Sequence, residues 1–289
     1  MATVLVLGSN GMLGCMVSST LEQSGHRVIQ TERSGSGSTL SFEVGDSSIF
    51  KTFADVGKID YVINAIGIIK PRIDENGIES RREAIQVNSI FPHQLSEIAE
   101  RLGFHVIQIA TDCVYSGTTG LYNELSPHDA LDVYGKTKSL GEVPSNHILH
   151  LRASIIGPEL GRQTSLWEWV RNQDRDAEIG GYTNHKWNGV TTFHFGMICN
   201  GIINAGLKSA GLQHVVPNDM VTKAELVKQI ATVCDRADIV VNEIQATDFI
   251  DRTLSTVNPE MNRQLWDLAG YASPPTVLDM VAESPTAIG

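Results

Sequence analysis

Short apolar runs alternate with helical patterns along the first half of the chain. Five runs of mainly aliphatic residues predict buried strands: Thr3–Leu7, Val28–Thr31, Tyr61–Asn64, Val106–Ala110 and Ile148–Leu151. Apolar residues recur at helical spacing in the segments between them: Met12–Ser24, Asn88–Leu102 and Tyr134–Gly141. This order of strands and helices is typical of a parallel sheet covered by helices on both faces. Ligands bind such sheets beyond the carboxyl ends of the strands, so the residues that follow each strand are the candidates for a site.

The pattern is less regular after about Gly157. Tryptophan, glycine and asparagine residues interrupt the alternation until another strand and helix are predicted at His214–Pro217 and Lys223–Val233. The residues from Pro274 to the end are expected to lie on the surface. This change indicates a second, smaller and less regular lobe.

Charge and cysteine usage narrow the classes of function. The 289 residues carry 22 Lys and Arg against 33 Asp and Glu, a net charge of −11, with no cluster of basic residues. A nucleic-acid-binding or membrane-surface protein would more often present a basic face, so neither partner is expected. No apolar run approaches the ~18 residues of a membrane-spanning helix, and the start of the chain lacks the basic region of a signal peptide. The four cysteines are far apart, which argues against a metal site or a secreted disulfide framework and predicts a cytoplasmic protein.

A glycine-rich loop follows the first predicted strand. Glycines recur every third residue between a buried strand and a helix. They let the backbone approach a pyrophosphate closely, and the first turn of the helix offers free N–H groups to its charge. This placement predicts a loop that holds a dinucleotide cofactor. Its members are Gly8, Ser9, Asn10, Gly11, Met12, Leu13 and Gly14.

Residues after the second and third strands bear on how that cofactor binds. Glu32 falls where an acidic side chain reads the ribose 2′-hydroxyl of NAD. Arg33 and Ser34 suit the 2′-phosphate of NADP, so we expect NADPH, with NADH as the alternative. Small or apolar residues follow the third strand, where the cofactor must pass close to the backbone: Ala65, Ile66 and Gly67.

Tyr134 and Lys138 form the most specific pattern in the sequence. They are four residues apart, so a helix presents both on one face. A free tyrosine titrates near ~10, and an adjacent ammonium and a bound nicotinamide are expected to lower that pKa. Tyr134 is therefore a candidate general acid toward a carbonyl oxygen, and Lys138 would also hold a cofactor ribose. Thr111, directly after the fourth strand, is placed to bond the same oxygen.

Together these motifs resemble an extended short-chain dehydrogenase/reductase of the dTDP-4-dehydrorhamnose reductase-like branch. The resemblance implies an α/β, Rossmann-type, doubly wound parallel sheet with a small C-terminal substrate lobe. It also implies reduction of a 4-keto group on a nucleotide-activated 6-deoxy sugar, with hydride from the cofactor and a proton from Tyr134. Thr111, Tyr134 and Lys138 match the catalytic triad, and Asp46 and Ser47 match a segment that lines the adenine. A homodimer is common for this fold.

On this basis residues 1–157 are predicted to form a dinucleotide-binding domain, completed by parts of 185–235. Residues 158–184 and 236–289 are assigned to the substrate-binding lobe. Four residues are predicted to contact the substrate. Lys70 would bind its diphosphate, and Trp187 and Asn188 would bind its base. Asn88 is the fourth, and the alternative is that it only caps the helix that it begins. The tryptophan that dTDP-rhamnose enzymes carry after the fifth strand is absent from residues 152–157, which leaves the nucleotide open.

Two alternatives remain. Cys113 resembles a cysteine that enzymes acting on UDP- or GDP-linked 4-keto-6-deoxy sugars carry at the same position. In those enzymes the cysteine exchanges protons at the carbons beside the ketone. The protein would then be a 3,5-epimerase/4-reductase, although Thr164–Gln173, the region that should hold a partner base, has no His or Lys. The other reading of Cys113 is a small residue in the pocket wall.

The second alternative is that this protein is a non-catalytic NADP-binding regulatory subunit, as some relatives are. The presence of both Tyr134 and Lys138 favours an enzyme instead.

Overall fold

A computed structural model describes residues 1–35, 37, 39–45, 49–161 and 164–287 of the chain. Within these ranges, no helix combines the length and the apolar character needed to cross a membrane. In the same ranges, no three His, Cys, Asp or Glu side chains are grouped so that they could hold a metal ion.

The core of the molecule is a parallel sheet of seven strands in the order β3-β2-β1-β4-β5-β6-β11. These strands are β1 (Thr3–Leu7), β2 (Arg27–Glu32), β3 (Leu40–Ser41), β4 (Tyr61–Asn64), β5 (His105–Ala110), β6 (Ile148–Arg152) and β11 (Gly211–His214). The order reverses between β1 and β4, which opens a crevice at their carboxyl ends. The predicted fold class is confirmed. The strand predicted at His214–Pro217 lies three residues earlier, because Gly211–His214 pairs with β6.

The central strands are apolar on both faces because both faces are covered. In β1, Val4 and Val6 belong to one hydrophobic cluster, whereas Leu5 and Leu7 belong to another. The first cluster includes residues of α1 (Met12–Gln23) and α7 (Thr192–Asn204), and the second includes residues of α2 (Ile49–Asp55) and α4 (Phe91–Leu102). A continuous apolar run is what such a doubly covered strand requires.

The helix predicted over Asn88–Leu102 begins ten residues earlier than expected. It starts at Ile78 as α3 (Ile78–Ile85), passes through a π-helical turn (Gln86–Ile90) and continues as α4 to Leu102. The ring nitrogen of Pro92 cannot donate to the carbonyl of Asn88, which is consistent with a locally widened helix. The first turns are mostly charged and exposed, so they lack the apolar periodicity that marked α4. Asn88 is therefore inside a helix and does not cap one.

The remaining elements lie outside the seven-stranded sheet. The strands are β7 (Ile155–Ile156), β8 (Glu178–Tyr182), β9 (His185–Trp187), β10 (Val190–Thr191), β12 (Val221–Thr222), β13 (Val240–Ile244) and β14 (Ile250–Asp251). The helices are α5 (Val133–Leu140), α6 (Leu166–Arg171), α8 (Lys223–Val233), α9 (Pro259–Leu268) and α10 (Val277–Glu283). β8 pairs with β13, and β9 pairs with both β12 and β14, so these small sheets join segments that are distant in sequence.

The C-terminal residues are not a surface tail, contrary to the prediction from the sequence. Helix α10 buries Val277, Met280 and Val281 completely. It packs against α8 and β10. Its seven residues are too few for a helical period to be recognised in the sequence, which explains the wrong prediction.

Candidate active site

The glycine loop joins β1 to α1 in a conformation that only glycine permits at two positions. Gly8 has a φ of +76°, and a Cβ on Gly14 would lie 2.2 Å from the Gly8 carbonyl oxygen. The Ser9 hydroxyl donates to the Thr31 carbonyl at 3.0 Å, which attaches the loop to β2. Gly11 precedes α1 without a side-chain cap, so the first N–H groups of the helix are open to an anion. This cradle fits the pyrophosphate of a dinucleotide.

A cavity of about 720 Å³ adjoins this loop on the side of β2. Of the predicted cofactor contacts, it is lined by Gly8, Asn10, Gly11, Glu32, Arg33, Ala65, Ile66 and Gly67, together with Ser34. Glu32 accepts a hydrogen bond from Thr39 at 2.6 Å, and Arg33 forms an exposed ion pair with Glu83 at 3.1 Å. Asp46 and Ser47, predicted to line the adenine, lie outside the described residues.

A second cavity, of about 460 Å³, lies over the carboxyl ends of β5 and β6. It contains the three predicted catalytic residues, Thr111, Tyr134 and Lys138, together with Cys113. It also contains Met12 and Leu13 from the first turn of α1. The structure thus brings the predicted triad and the predicted cofactor loop to one cleft.

Local hydrogen bonds position the triad. Thr111 follows β5, and its hydroxyl accepts from the backbone N–H of Cys113 at 3.2 Å. Asp132 caps α5 by accepting from the N–H of Gly135 at 2.8 Å, which fixes where the helix begins. Tyr134 and Lys138 then lie one turn apart on the face that lines the cavity. The Lys138 ammonium donates to the carbonyl of Ile109, in β5, at 3.0 Å.

Burial favours the neutral forms of both Tyr134 and Lys138. The loss of water around Tyr134 raises its pKa above the usual value, as does the charge that Cys113 carries once it is deprotonated, although the Thr111 hydroxyl lowers this pKa. The expected lowering of this pKa by a neighbouring ammonium is therefore not observed. Burial lowers the pKa of Lys138 to about 8, against the opposing effect of Glu142.

Cys113 is a weak acid in this environment. Burial, with a contribution from the Asp112 carboxylate, raises the pKa of the Cys113 thiol to about 12. Asp112 is itself buried, and burial raises its pKa while Arg252 and Lys223 lower it. At neutral pH Cys113 is thus a protonated thiol in the cavity wall.

The predicted substrate contacts line neither cavity. Lys70 forms an ion pair with Asp132 at 2.9 Å. Trp187 is buried and donates from its indole nitrogen to the Ser154 hydroxyl at 2.8 Å. The buried amides of Asn88 and Asn188 are occupied by backbone groups: Asn88 by those of Ile68 and Asn188 by those of Leu254. The last three side chains are bonded to other groups of the protein, and their contacts with the substrate stay predictions.

Several residues of the site had not been predicted. Ile69, Pro71, Arg72, Ser154, Ile155, Glu159 and Thr164 also line the catalytic cavity. Pro71 and Arg72 lie just after the third predicted strand, the kind of position that the sheet architecture marks as a candidate. Ile69 lies beside them, whereas Ser154, Ile155, Glu159 and Thr164 follow β6, a region of the sequence with no regular pattern.

Comparison with known proteins supports the same family. The family model described as the RmlD substrate binding domain matches residues 1–155. The probable low-salt glycan biosynthesis reductase Agl14 of Haloferax volcanii is 30% identical over 178 residues, 57% of this chain and 58% of that protein. The spore coat polysaccharide biosynthesis protein SpsK of Bacillus subtilis is 28% identical over 143 residues, 49% of this chain and 47% of that protein. The chain thus spans about half the length of these curated relatives.

The whole fold has a counterpart among solved structures. The dTDP-4-dehydrorhamnose reductase of Bacillus anthracis, solved in complex with NADP, superimposes with a TM-score of 0.78. The two chains are 17% identical, and 98% of each is covered, which establishes a shared fold. Because the family model covers more than half of the chain, the protein belongs to the RmlD-like branch of the extended short-chain dehydrogenase/reductases.

Proposed function

We propose that this protein is an NAD(P)H-dependent reductase of the 4-keto group of a nucleotide-activated 6-deoxy sugar, in deoxysugar or polysaccharide biosynthesis. One observation carries the proposal: Thr111, Tyr134 and Lys138 line the same cavity as the first turn of α1. The names of the curated relatives, a glycan biosynthesis reductase and a polysaccharide biosynthesis protein, agree with this reaction class.

The cavity beside β2 and the catalytic cavity are proposed to hold the two nucleoside halves of the dinucleotide, with its pyrophosphate at the glycine loop between them. When bound, the reduced nicotinamide supplies hydride to the carbonyl carbon. NADPH is the proposed form because Arg33 and Ser34 line the cavity beside the Glu32 carboxylate. Lys138, on the cavity face of α5, is proposed to bond a ribose hydroxyl.

Tyr134 is the proposed general acid. The phenol is protonated at neutral pH and so holds a proton for the carbonyl oxygen. Burial raises its pKa, which makes it a weaker acid, and the positive charge of the oxidised nicotinamide would lower that pKa when the cofactor is bound. Thr111 adds a second hydroxyl at the same wall of the cavity, where it polarises that oxygen. The ketone thus gains hydride on carbon and the Tyr134 proton on oxygen, which yields the alcohol, and solvent returns a proton to Tyr134.

The test is turnover with freshly prepared 4-keto-6-deoxy sugars linked to dTDP, UDP, GDP or CDP. Oxidation of NADPH and NADH is followed for the wild type and for Tyr134→Phe. We expect turnover with one nucleotide and a loss of ~10²–10⁴-fold in Tyr134→Phe, the usual contribution of a general acid. Tyr182→Phe is the matched control, because Tyr182 is partly exposed and lines neither cavity.

The outcomes separate the alternatives. Cofactor binding without turnover across the whole panel would contradict the reductase and favour a regulatory subunit. Running the productive reaction in deuterated water tests Cys113: with a thiol pKa of about 12, we expect no deuterium beside the ketone. Deuterium at those carbons, lost in Cys113→Ser, would instead identify a 3,5-epimerase/4-reductase.

A further inference from the structure

The segment between β4 and α3 crosses the cleft between the two cavities. We refer to residues 68–77 as the strap. It is attached at three points. The N–H of Ile68 donates to the Asn88 side chain at 2.9 Å, and Lys70 forms an ion pair with Asp132 at 2.9 Å. The Glu75 carboxylate accepts from the N–H of Val133 at 3.1 Å. Two of these attachments lead to the start of α5, next to Tyr134. The strap is therefore held in a defined position over the cleft.

Arg72 lies on the strap between these attachments and lines both cavities. Its side chain is exposed. In the part of the chain that the structure describes, Arg72 has no ion pair, whereas three other cations of the strap and of the cavity lining are paired. These pairs are Lys70 with Asp132, Arg33 with Glu83 and Arg82 with Glu79. Arg72 thus lies at the junction of the two cavities, and none of the carboxylates that the structure describes forms an ion pair with it.

A dinucleotide that occupies both cavities must cross this junction with its pyrophosphate. The cavity beside β2 is lined by Glu32 and Arg33, and the catalytic cavity is lined by Tyr134. The residues common to both are Gly11, Ala65, Ile66, Gly67 and Arg72. Gly11 directly precedes the N-terminus of α1, and Arg72 is the one charged side chain of the five. The pyrophosphate is also the part of the dinucleotide that links its two nucleoside halves.

We propose that Arg72 binds the pyrophosphate of the cofactor together with the N-terminus of α1. The proposal rests on the dinucleotide binding proposed above. The planar guanidinium matches phosphate oxygens in bidentate geometry, and the three attachments hold the strap in place before the cofactor arrives. The diphosphate-binding role that the sequence suggested for Lys70 thus passes to Arg72 and from the substrate to the cofactor. Lys70 instead anchors the strap.

Binding measurements on the intact chain test this role without relying on turnover. The dissociation constants of NADPH, NADH and ADP-ribose, which contain a pyrophosphate, are compared with those of adenosine and adenosine 2′-monophosphate, which do not. In Arg72→Gln we expect the first group to bind ~10–100-fold more weakly, the usual worth of a charge-assisted hydrogen bond. The second group should bind as in the wild type, and Arg72→Lys should recover part of the loss.

Arg81→Gln is the matched control, because it removes an exposed positive charge of the adjacent helix that lines neither cavity. Equal affinity of wild type and Arg72→Gln for ADP-ribose would overturn the role of Arg72 and leave the reductase proposal intact. A raised KM for the nucleotide sugar, with unchanged cofactor affinity, would also overturn it and assign Arg72 to the substrate. Failure of the wild type to bind any nicotinamide dinucleotide would overturn both proposals.

Discussion

At the scale of single residues, burial determines the protonation of the groups in the catalytic cavity. The sequence was sufficient to place Tyr134 and Lys138 on one helix face, because that depends only on their spacing. It was not sufficient for the direction of the Tyr134 pKa, because that depends on how much water the folded chain removes. Burial raises this pKa and lowers that of Lys138, so folding favours the neutral form of each.

Lys138 should therefore reduce stability at neutral pH. Its folded-state pKa of about 8 lies below the unfolded value of ~10.4, so folding releases a proton between these two pH values. The unfavourable contribution of Lys138 to the free energy of unfolding is fully present below pH 8 and disappears as the pH rises to about 10. We expect Lys138→Met to raise the free energy of unfolding by ~1–2 kcal/mol at pH 7, after loss of the hydrogen bond to Ile109, and to abolish turnover.

Urea unfolding at pH 7 and pH 10 measures this effect. The stability gain of Lys138→Met should shrink at pH 10, where the wild-type lysine is neutral in the folded state. Lys136→Met is the control, because Lys136 is exposed on the same helix. A gain that is absent at pH 7, or equal at both pH values, would show that Lys138 is not destabilised by burial.

At the scale of elements, the sequence predicted best where one local pattern determines the structure. The glycine spacing located the β1–α1 loop, and the apolar periodicity located α1, α4 and α8 within a few residues. The start of α3 was missed because its exposed, charged turns are stabilised by neighbouring elements, which a local pattern does not reveal. The strap was missed for a related reason, since its attachments to Asn88, Asp132 and Val133 are all distant in sequence.

The two glycines of the β1–α1 loop should respond differently to substitution. Gly14→Ala places a Cβ 2.2 Å from the Gly8 carbonyl oxygen, so the loop must move away from α1. We expect a loss of ~1–3 kcal/mol in the free energy of unfolding, together with loss of NADPH binding. In Gly11→Ala the new Cβ lies 3.3 Å from the same oxygen, which a small shift relieves. This variant should keep its stability but bind NADPH more weakly, because the methyl group occupies the approach to the helix N-terminus.

Urea unfolding and NADPH titration of both variants separate these effects. If Gly14→Ala were as stable as the wild type, the contact between loop and helix could not be as close as the structure has it. If Gly11→Ala bound NADPH with unchanged affinity, the pyrophosphate would have to lie elsewhere.

At the scale of the whole molecule, contacts between distant segments limit what the sequence predicts about the substrate. Trp187 and Asn188 are of residue types that recognise nucleotide bases, but in the fold both join distant segments. Trp187 bonds to Ser154, and Asn188 bonds to Leu254. Strands β8 and β13, which pair with each other, are separated by more than fifty residues. No local pattern in the sequence reveals such pairings, so the substrate side of the site could not be predicted as well as the cofactor side.

The C-terminal helix is linked to the catalytic cavity through two short strands, and loss of its packing should lower the stability of the protein. Helix α10 packs against β10, β10 pairs with β7, and Ile155 of β7 lines the cavity. Met280 is fully buried in α10, so Met280→Ala should lower the free energy of unfolding by ~2–5 kcal/mol in urea titrations. The exposed Ala282→Ser is the control and should change it by less than ~0.5 kcal/mol. Equal urea midpoints for the two variants would mean that α10 lies outside the core, as the sequence alone had suggested.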